Sequence, residues 1–170
     1  MALAGVPHWN DQNILLYHGT SDLWTPSILR AVDLRRAQAL TDFGRGFYTT
    51  TKLDQARRWA NDVARTSGGS AAVIEFDVER NALAQLKCLF FIRSDTLAVD
   101  FWSFVQYCKT VPGGHRRRYI AGYYDVVAGP VPGDWKRQTV IRDSDQVSFH
   151  TKAAVDVLNQ LPANRKRQLP

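Results

Sequence analysis

The sequence predicts an α+β fold with a mixed or antiparallel sheet. Apolar runs of strand length alternate irregularly with amphipathic stretches of helical period, and their order lacks the steady strand-helix-strand rhythm of a parallel sheet. No internal repeat or low-complexity block interrupts them. The 170-residue chain is 45% hydrophobic and 22% charged, the make-up of one globular domain. A chain of this length buries about two-thirds of its unfolded surface, so it needs neither a disulfide framework nor a structural metal. Residues 1–161 are read as that single domain and 162–170 as a basic C-terminal tail.

The elements follow in order. Asn13–Tyr17 (NILLY) runs into His18-Gly19-Thr20, the pattern of a buried strand that ends at a tight turn, where a site residue can sit. Thr25-Pro26 supplies an N-cap and a proline at the first helical position, and Ile28, Leu29 and Val32 give that short helix one apolar face. Asp42–Thr51 (DFGRGFYTTT) places two glycines ahead of aromatic and β-branched residues, a loop that enters a strand. Thr51 then caps a helix with Asp54 three places on. Leu53, Ala56, Trp59, Ala60 and Val63 recur at helical spacing until Ser67-Gly68-Gly69 stops it.

Ala71–Val78 and Leu86–Ile92 read as strands. Ser94-Asp95 caps a helix with Leu97, Phe101, Phe104, Val105 and Cys108 on one face, ending near Pro112-Gly113-Gly114, and residues 113–118 form a basic loop. Tyr124–Val131 is a strand broken at Gly129-Pro130. Gln146–His150 is a strand in which Gln146, Ser148 and His150 share one face and Val147 and Phe149 the other. Lys152–Leu161 closes the domain as a helix.

A net charge of +6 favours polyanionic partners at long range. Its two clusters, Arg116–Arg118 and Arg165-Lys166-Arg167, read first as a solvated loop and a frayed tail. Cys88 and Cys108 lie in apolar stretches without a CxxC pair, as free thiols of a reducing compartment do. No apolar run approaches the ~20 residues of a membrane helix, and Pro7, His8 and Trp9 interrupt any signal-peptide core, so a cytoplasmic protein without a membrane partner is expected. The sequence carries no GxSxG elbow, no HExxH and no GxxxxGK[ST] loop, and its four histidines are scattered. Gly44-Arg45-Gly46 lacks the third glycine of a dinucleotide fingerprint and leads into a strand. A hydrolase triad and a metal site are therefore not expected.

Taken singly, His18 at a strand end and Tyr48 after a glycine loop read as a satisfied buried polar group and a core aromatic. Taken together, Leu15-Leu16-Tyr17-His18-Gly19-Thr20 and Phe43-Gly44-Arg45-Gly46-Phe47-Tyr48 resemble the NAD-binding core of the ADP-ribosyltransferases, in the branch of diphtheria toxin and the poly(ADP-ribose) polymerases. The chain is also similar to a group of bacterial proteins that share this opening, the Tyr124–Val131 strand and the Gln146–Thr151 ending. The resemblance spans Leu15 to Leu158.

It implies a split β-sheet core with flanking helices, NAD as co-substrate and no metal. Carried over residue by residue, it implies that His18 holds a ribose hydroxyl and that the Gly19 backbone docks the nicotinamide amide. Tyr48 and Trp59 would stack on the nicotinamide ring, with Thr20 and Phe47 bounding the cleft. Arg45 is placed either to meet a phosphate of NAD or to remain a solvated loop cation. Ala56 falls where the polymerases carry a serine. Gln146 falls on the family's catalytic glutamate, completing an implied catalytic set of His18, Tyr48 and Gln146; glutamine keeps the hydrogen bonds and loses the charge, so weaker catalysis is expected. Asp145 would supply a carboxylate only after a one-residue slip, which turns it to the opposite face.

The implied activity is transfer of ADP-ribose from NAD, with release of nicotinamide, to a macromolecular acceptor that is protein, RNA or DNA. A bacterial toxin or defence effector would carry it out, with an antitoxin or immunity protein as a further partner. NAD glycohydrolysis and non-catalytic binding of NAD or ADP-ribose stay open beside it.

Overall fold

The structure, a computed structural model, describes residues 12–115 and 123–170. The Arg116–Arg118 cluster lies outside the described residues. Strand β1 (Asn13–Ser21) does not stop at Tyr17: it continues through His18-Gly19-Thr20 and pairs antiparallel with β3 (Ala71–Glu79) from Asn13↔Glu79 to Ser21↔Ala71. The expected turn at Gly19 is therefore strand, for a reason that emerges from the packing of α2 below.

Helix α1 (Thr25–Arg30) starts with Thr25 inside it and Pro26 in its first turn, where the missing N–H costs no intrahelical bond. Strand β2 (Phe47–Thr49) follows the glycine loop, and α2 (Leu53–Ser67) ends at Gly68, whose φ of 82° favours glycine. Lys52, not Thr51, is the N-cap of α2, because the Thr51 hydroxyl donates to Asp145. After the short α3 (Arg80–Ala84) comes β4 (Cys88–Phe90). Helix α4 (Val99–Thr110) begins later than Ser94-Asp95 implies. Asp95 builds a separate turn, accepting from the Leu97 N–H through its carboxylate and from the Ala98 N–H and Trp102 Nε1 through its carbonyl, so Leu97 stays outside the helix and exposed.

Strands β5 (Val126–Gly129), β6 (Pro132–Asp134), β7 (Thr139–Val140) and β8 (Gln146–Phe149) precede helix α5 (Lys152–Asn159). Thr151 caps α5, its hydroxyl accepting from the Ala154 N–H at 3.1 Å.

The strands divide into a three-stranded antiparallel sheet, β1-β3-β9 with β9 at Lys166–Gln168, and a four-stranded mixed sheet, β2-β8-β5-β4, in which β4 and β5 are parallel. Strands β6 and β7 form a separate pair. The class is thus α+β, as expected. Among the described residues one isolated bridge, Tyr17↔Thr50, joins the two larger sheets.

The C-terminal residues correct the reading of 162–170 as a tail. Lys166–Gln168 forms strand β9 against β3, with Glu75 opposite Arg167. Arg165 donates to the Asp77 carbonyl at 3.0 Å and pairs with Glu79 at 2.5 Å, while Arg167 reaches Glu75 at 3.0 Å. Glu75, Asp77 and Glu79 recur every second residue on β3, so one face carries a row of acids that the arginines match. Arg165 and Arg167 of this basic cluster are thus paired with acids within the fold, and Lys166 between them is buried.

Leu16, Ile74, Phe76, Val126, Val147 and Phe149 form the main core, closed by Val155 and Leu158 of α5. The other face of the four-stranded sheet packs Val127 against Phe43 and against Phe101, Trp102 and Val105 of α4. Ala56 and Ala60 of α2 cover Val73 on the outer face of the three-stranded sheet. Cys88 is half-buried and Cys108 buried, both as free thiols. Among the described residues no helix is long and apolar enough to cross a membrane.

Candidate functional site

The site lies where the two sheets part. Backbone groups in an antiparallel strand face its two edges alternately. The Tyr17 N–H donates to the Thr50 carbonyl at 2.7 Å and the Thr50 N–H returns to the Tyr17 carbonyl at 2.9 Å, so Tyr17 faces the second sheet. Gly19, two residues on, presents its N–H and C=O to that same edge. Beyond Thr50 the chain turns away into α2, and there the edge of β1 pairs with no further strand among the described residues, while Gly19 itself is buried.

Close approach of α2 explains why position 19 is glycine. A Cβ there would lie 2.1 Å from the Ala56 carbonyl oxygen and 2.8 Å from the Ala60 nitrogen. Ala56 and Ala60 are small for the same reason, both being buried against β1 and β3. One turn of α2 carries Trp59 to the outside, where it is 62% exposed. An indole this exposed presents a flat face on the helix that covers Gly19.

His18 is half-buried, its ring tilted on Phe47 with centroids 4.3 Å apart. Its Nδ1–H donates to the Tyr48 carbonyl at 2.7 Å, a bond from the first sheet to the second. Burial pushes the imidazole pKa down to about 4, with the bond to Tyr48 acting weakly the other way. The ring is therefore neutral near pH 7. A carbonyl only accepts, so the single proton sits on Nδ1 and Nε2 is left as an acceptor.

Tyr48 points to the face of the second sheet that carries the glycine loop. Its hydroxyl accepts from the Phe43 N–H at 2.9 Å, donates to the Gly44 carbonyl at 2.7 Å and lies 2.8 Å from the Thr41 hydroxyl. Burial raises the phenol far above its ordinary pKa, so Tyr48 is no proton acceptor, and its ring is held in place by the loop it closes. Two buried histidines pin that loop from beneath: His115 Nδ1 lies 3.0 Å from the Phe43 carbonyl and His150 Nδ1 lies 2.9 Å from the Arg45 carbonyl. Gly46 is required here, since a Cβ would meet His150 Nδ1 at 2.7 Å. The half-buried Arg45 makes no ion pair among the described residues.

Gln146 opens β8 and is 6% exposed. Val147 and Phe149 enter the main core, which turns Gln146, Ser148 and His150 to the side of Tyr48 and the glycine loop. The Gln146 Nε2 donates to the Pro130 carbonyl at 3.2 Å and to Asp42 Oδ2 at 3.3 Å. Asp145 is fully occupied elsewhere. Its carboxylate accepts from the Thr50 hydroxyl at 2.7 Å, the Thr51 N–H at 2.8 Å and the Thr51 hydroxyl, and its main chain exchanges two hydrogen bonds with the Gln55 side chain.

A family model described as a protein of unknown function (DUF3990) matches residues 14–143. The chain belongs to the DUF3990 family. No curated protein and no solved structure matches it. The DUF3990 match contains His18, Gly19, the glycine loop, Tyr48 and Trp59, and ends before β8, so Gln146 lies beyond it.

Of the residues singled out from sequence, the fold of this DUF3990 protein brings His18, Gly19, Phe47 and Tyr48 into one neighbourhood, with Gln146 tied to the same loop through Asp42. Phe47 is a wall between His18 and Phe76 more than a free cleft surface, its ring centroid 5.8 Å from that of Phe76. Thr20 is buried and shares the side of β1 that carries His18, opposite α2. Thr41, Asp42, His115 and His150 were missed as site residues. For His150 a signal existed, since it shares the alternating face of Gln146; for the others the contacts join distant stretches of chain.

Proposed function

We propose that this protein is an NAD-dependent ADP-ribosyltransferase that moves ADP-ribose to a macromolecular acceptor and releases nicotinamide. The observation that carries the reading is the edge at Gly19 that no further strand pairs, beside the His18–Tyr48 bond. A carboxamide has one donor and one acceptor side by side, and a strand edge that presents one N–H and one C=O is its complement. The neutral His18 keeps Nε2 free to accept from a ribose hydroxyl, and the rigid loop fixes the Tyr48 ring. Trp59 offers an exposed face to a flat cationic ring.

In the reaction the C1′–N glycosidic bond breaks and its electron pair neutralises the pyridinium nitrogen. The acceptor's nucleophilic atom then bonds to C1′ and gives up its proton. The chain's own part is to bind and orient: Gly19 takes the amide, His18 the hydroxyl, Tyr48 and Trp59 the ring, and Arg45 a phosphate. The division of the β-structure into two sheets flanked by helices is what the resemblance to diphtheria toxin and the polymerases implies, and it supports this reading. The free thiols Cys88 and Cys108 fit a cytoplasmic setting, where NAD is available.

Non-catalytic NAD or ADP-ribose binding is the second reading, favoured by glutamine at position 146 and by the engagement of Asp145. Calorimetric titration with NAD tests the common part of both. NAD binds the wild type, and Trp59→Ala weakens it by about two- to tenfold, the value of one stacked face, without loss of folding because the indole is exposed. Absence of NAD binding by the wild type refutes the proposal.

A further inference from the structure

Gln146 has only one way to orient its amide. The Pro130 carbonyl and the Asp42 carboxylate, at 3.2 and 3.3 Å, both accept and cannot donate, so the NH2 group faces them and Oε1 is turned the other way. Asp42 is itself fixed. Its second oxygen pairs with Lys109 Nζ at 2.6 Å, and the next residue, Phe43, donates its N–H to the Tyr48 hydroxyl. The loop that seats the Tyr48 ring therefore also seats the carboxylate that orients Gln146. No described residue donates to Oε1.

We propose that Asp42 is a positioning residue for Gln146, and that the two share what a single glutamate does elsewhere: the carboxylate resides at 42 and the ligand-facing acceptor is Gln146 Oε1. The inference rests on the ADP-ribosyltransferase reading for its consequence in turnover, though the pairing itself does not. It changes the meaning of glutamine at this position. Gln146 is no decayed glutamate awaiting repair, since a carboxylate placed there would confront the Asp42 carboxylate and the Pro130 carbonyl with no proton between them. Exchanging both groups, as Asp42→Asn with Gln146→Glu, restores one donor amide facing one carboxylate.

The test compares wild type, Asp42→Ala, Gln146→Glu and the Asp42→Asn/Gln146→Glu double variant. Nicotinamide release at saturating NAD, NAD affinity by calorimetry and thermal melting are measured for each. Asp42→Ala lowers turnover about tenfold and leaves NAD affinity within about twofold. Gln146→Glu lowers both turnover and melting temperature, and its turnover recovers toward acid pH as the extra carboxyl gains a proton. The double variant returns turnover to within about threefold of wild type and recovers the melting temperature. Turnover of Gln146→Glu at or above the wild-type value, or a double variant no better than Gln146→Glu alone, overturns the proposal. Should the wild type neither bind NAD nor release nicotinamide, the functional reading fails by itself. Melting then decides the pairing: recovery in the double variant supports it and strictly additive losses overturn it.

Discussion

Gly19→Ala perturbs the contact on which the site is built. The new methyl carbon would sit 2.1 Å from the Ala56 carbonyl oxygen and 2.8 Å from the Ala60 nitrogen, whereas ordinary contacts begin at 3.4 Å. Both atoms belong to the backbone of α2, so no side chain can swing aside and the helix must withdraw by more than an ångström. Withdrawal opens the packing of Ala56, Ala60 and Val73, now 1%, 0% and 7% exposed. Overpacking of a filled interior costs about 1–3 kcal/mol, and a clash with helix backbone belongs at the upper end, near 3. With a urea slope of about 1–3 kcal/mol/M, the denaturation midpoint falls by about 1–3 M. Urea unfolding followed by circular dichroism measures it, and an unchanged slope confirms that the native state is what suffered. NAD affinity should fall with it, because α2 also carries Trp59. A loss below about 0.5 kcal/mol would mean that α2 does not press on β1 and that glycine at position 19 has another origin.

Other outcomes follow from the same geometry. His18 has a folded pKa of about 4 against an ordinary value of 6.5. The unfolded chain therefore binds more protons between those values, so stability is full above pH 6.5 and declines as pH falls toward 4. Denaturation midpoints across that window should show this slope in wild type and lose it in His18→Gln; identical slopes would mean that packing against Phe47 does not depress the His18 imidazole. Asp145→Ala deprives Thr50 and Thr51 of their acceptor and loosens the entry to α2, at a cost of about 2–3 kcal/mol in chemical denaturation. Once the folded fraction is allowed for, nicotinamide release per molecule should be unaltered, and a specific loss would give Asp145 the chemical role that its engagement denies. Arg165→Ala leaves the half-buried Asp77 without its cation and should destabilise by about 1–3 kcal/mol, whereas exposed Arg167→Ala should cost less than about 1 kcal/mol. Equal effects of the two in the same assay would contradict the placement of β9.

The sequence made legible what local periodicity controls. Ala56 and Ala60 at helical spacing located α2, and the alternation from Gln146 to His150 put Val147 and Phe149 in the core with Gln146 on the far side. It misled where a local signal has two physical causes. Gly19 looked like a turn because glycine permits one, but its missing side chain makes room for α2. Ser94-Asp95 looked like a helix cap, yet Asp95 closes a turn of its own ahead of α4. Contacts between distant residues were not legible. Arg165, beside β9, and Arg167 within it were visible as a cluster, and the acids of β3 recur at period two, but their pairing spans 86 and 92 positions. Asp42 and Gln146 are 104 positions apart, and nothing local to either residue announces the other.

Function turns on whether the strand edge at Gly19 receives the nicotinamide end of NAD and whether the glycosidic bond breaks there. Incubation with NAD labelled in the nicotinamide ring and in the adenine, in the presence of protein, RNA and DNA acceptors, measures it directly. Free labelled nicotinamide and adenine label retained on one acceptor class are expected, both lost in His18→Ala. Intact NAD after prolonged incubation, with no label on any acceptor, would contradict this expectation.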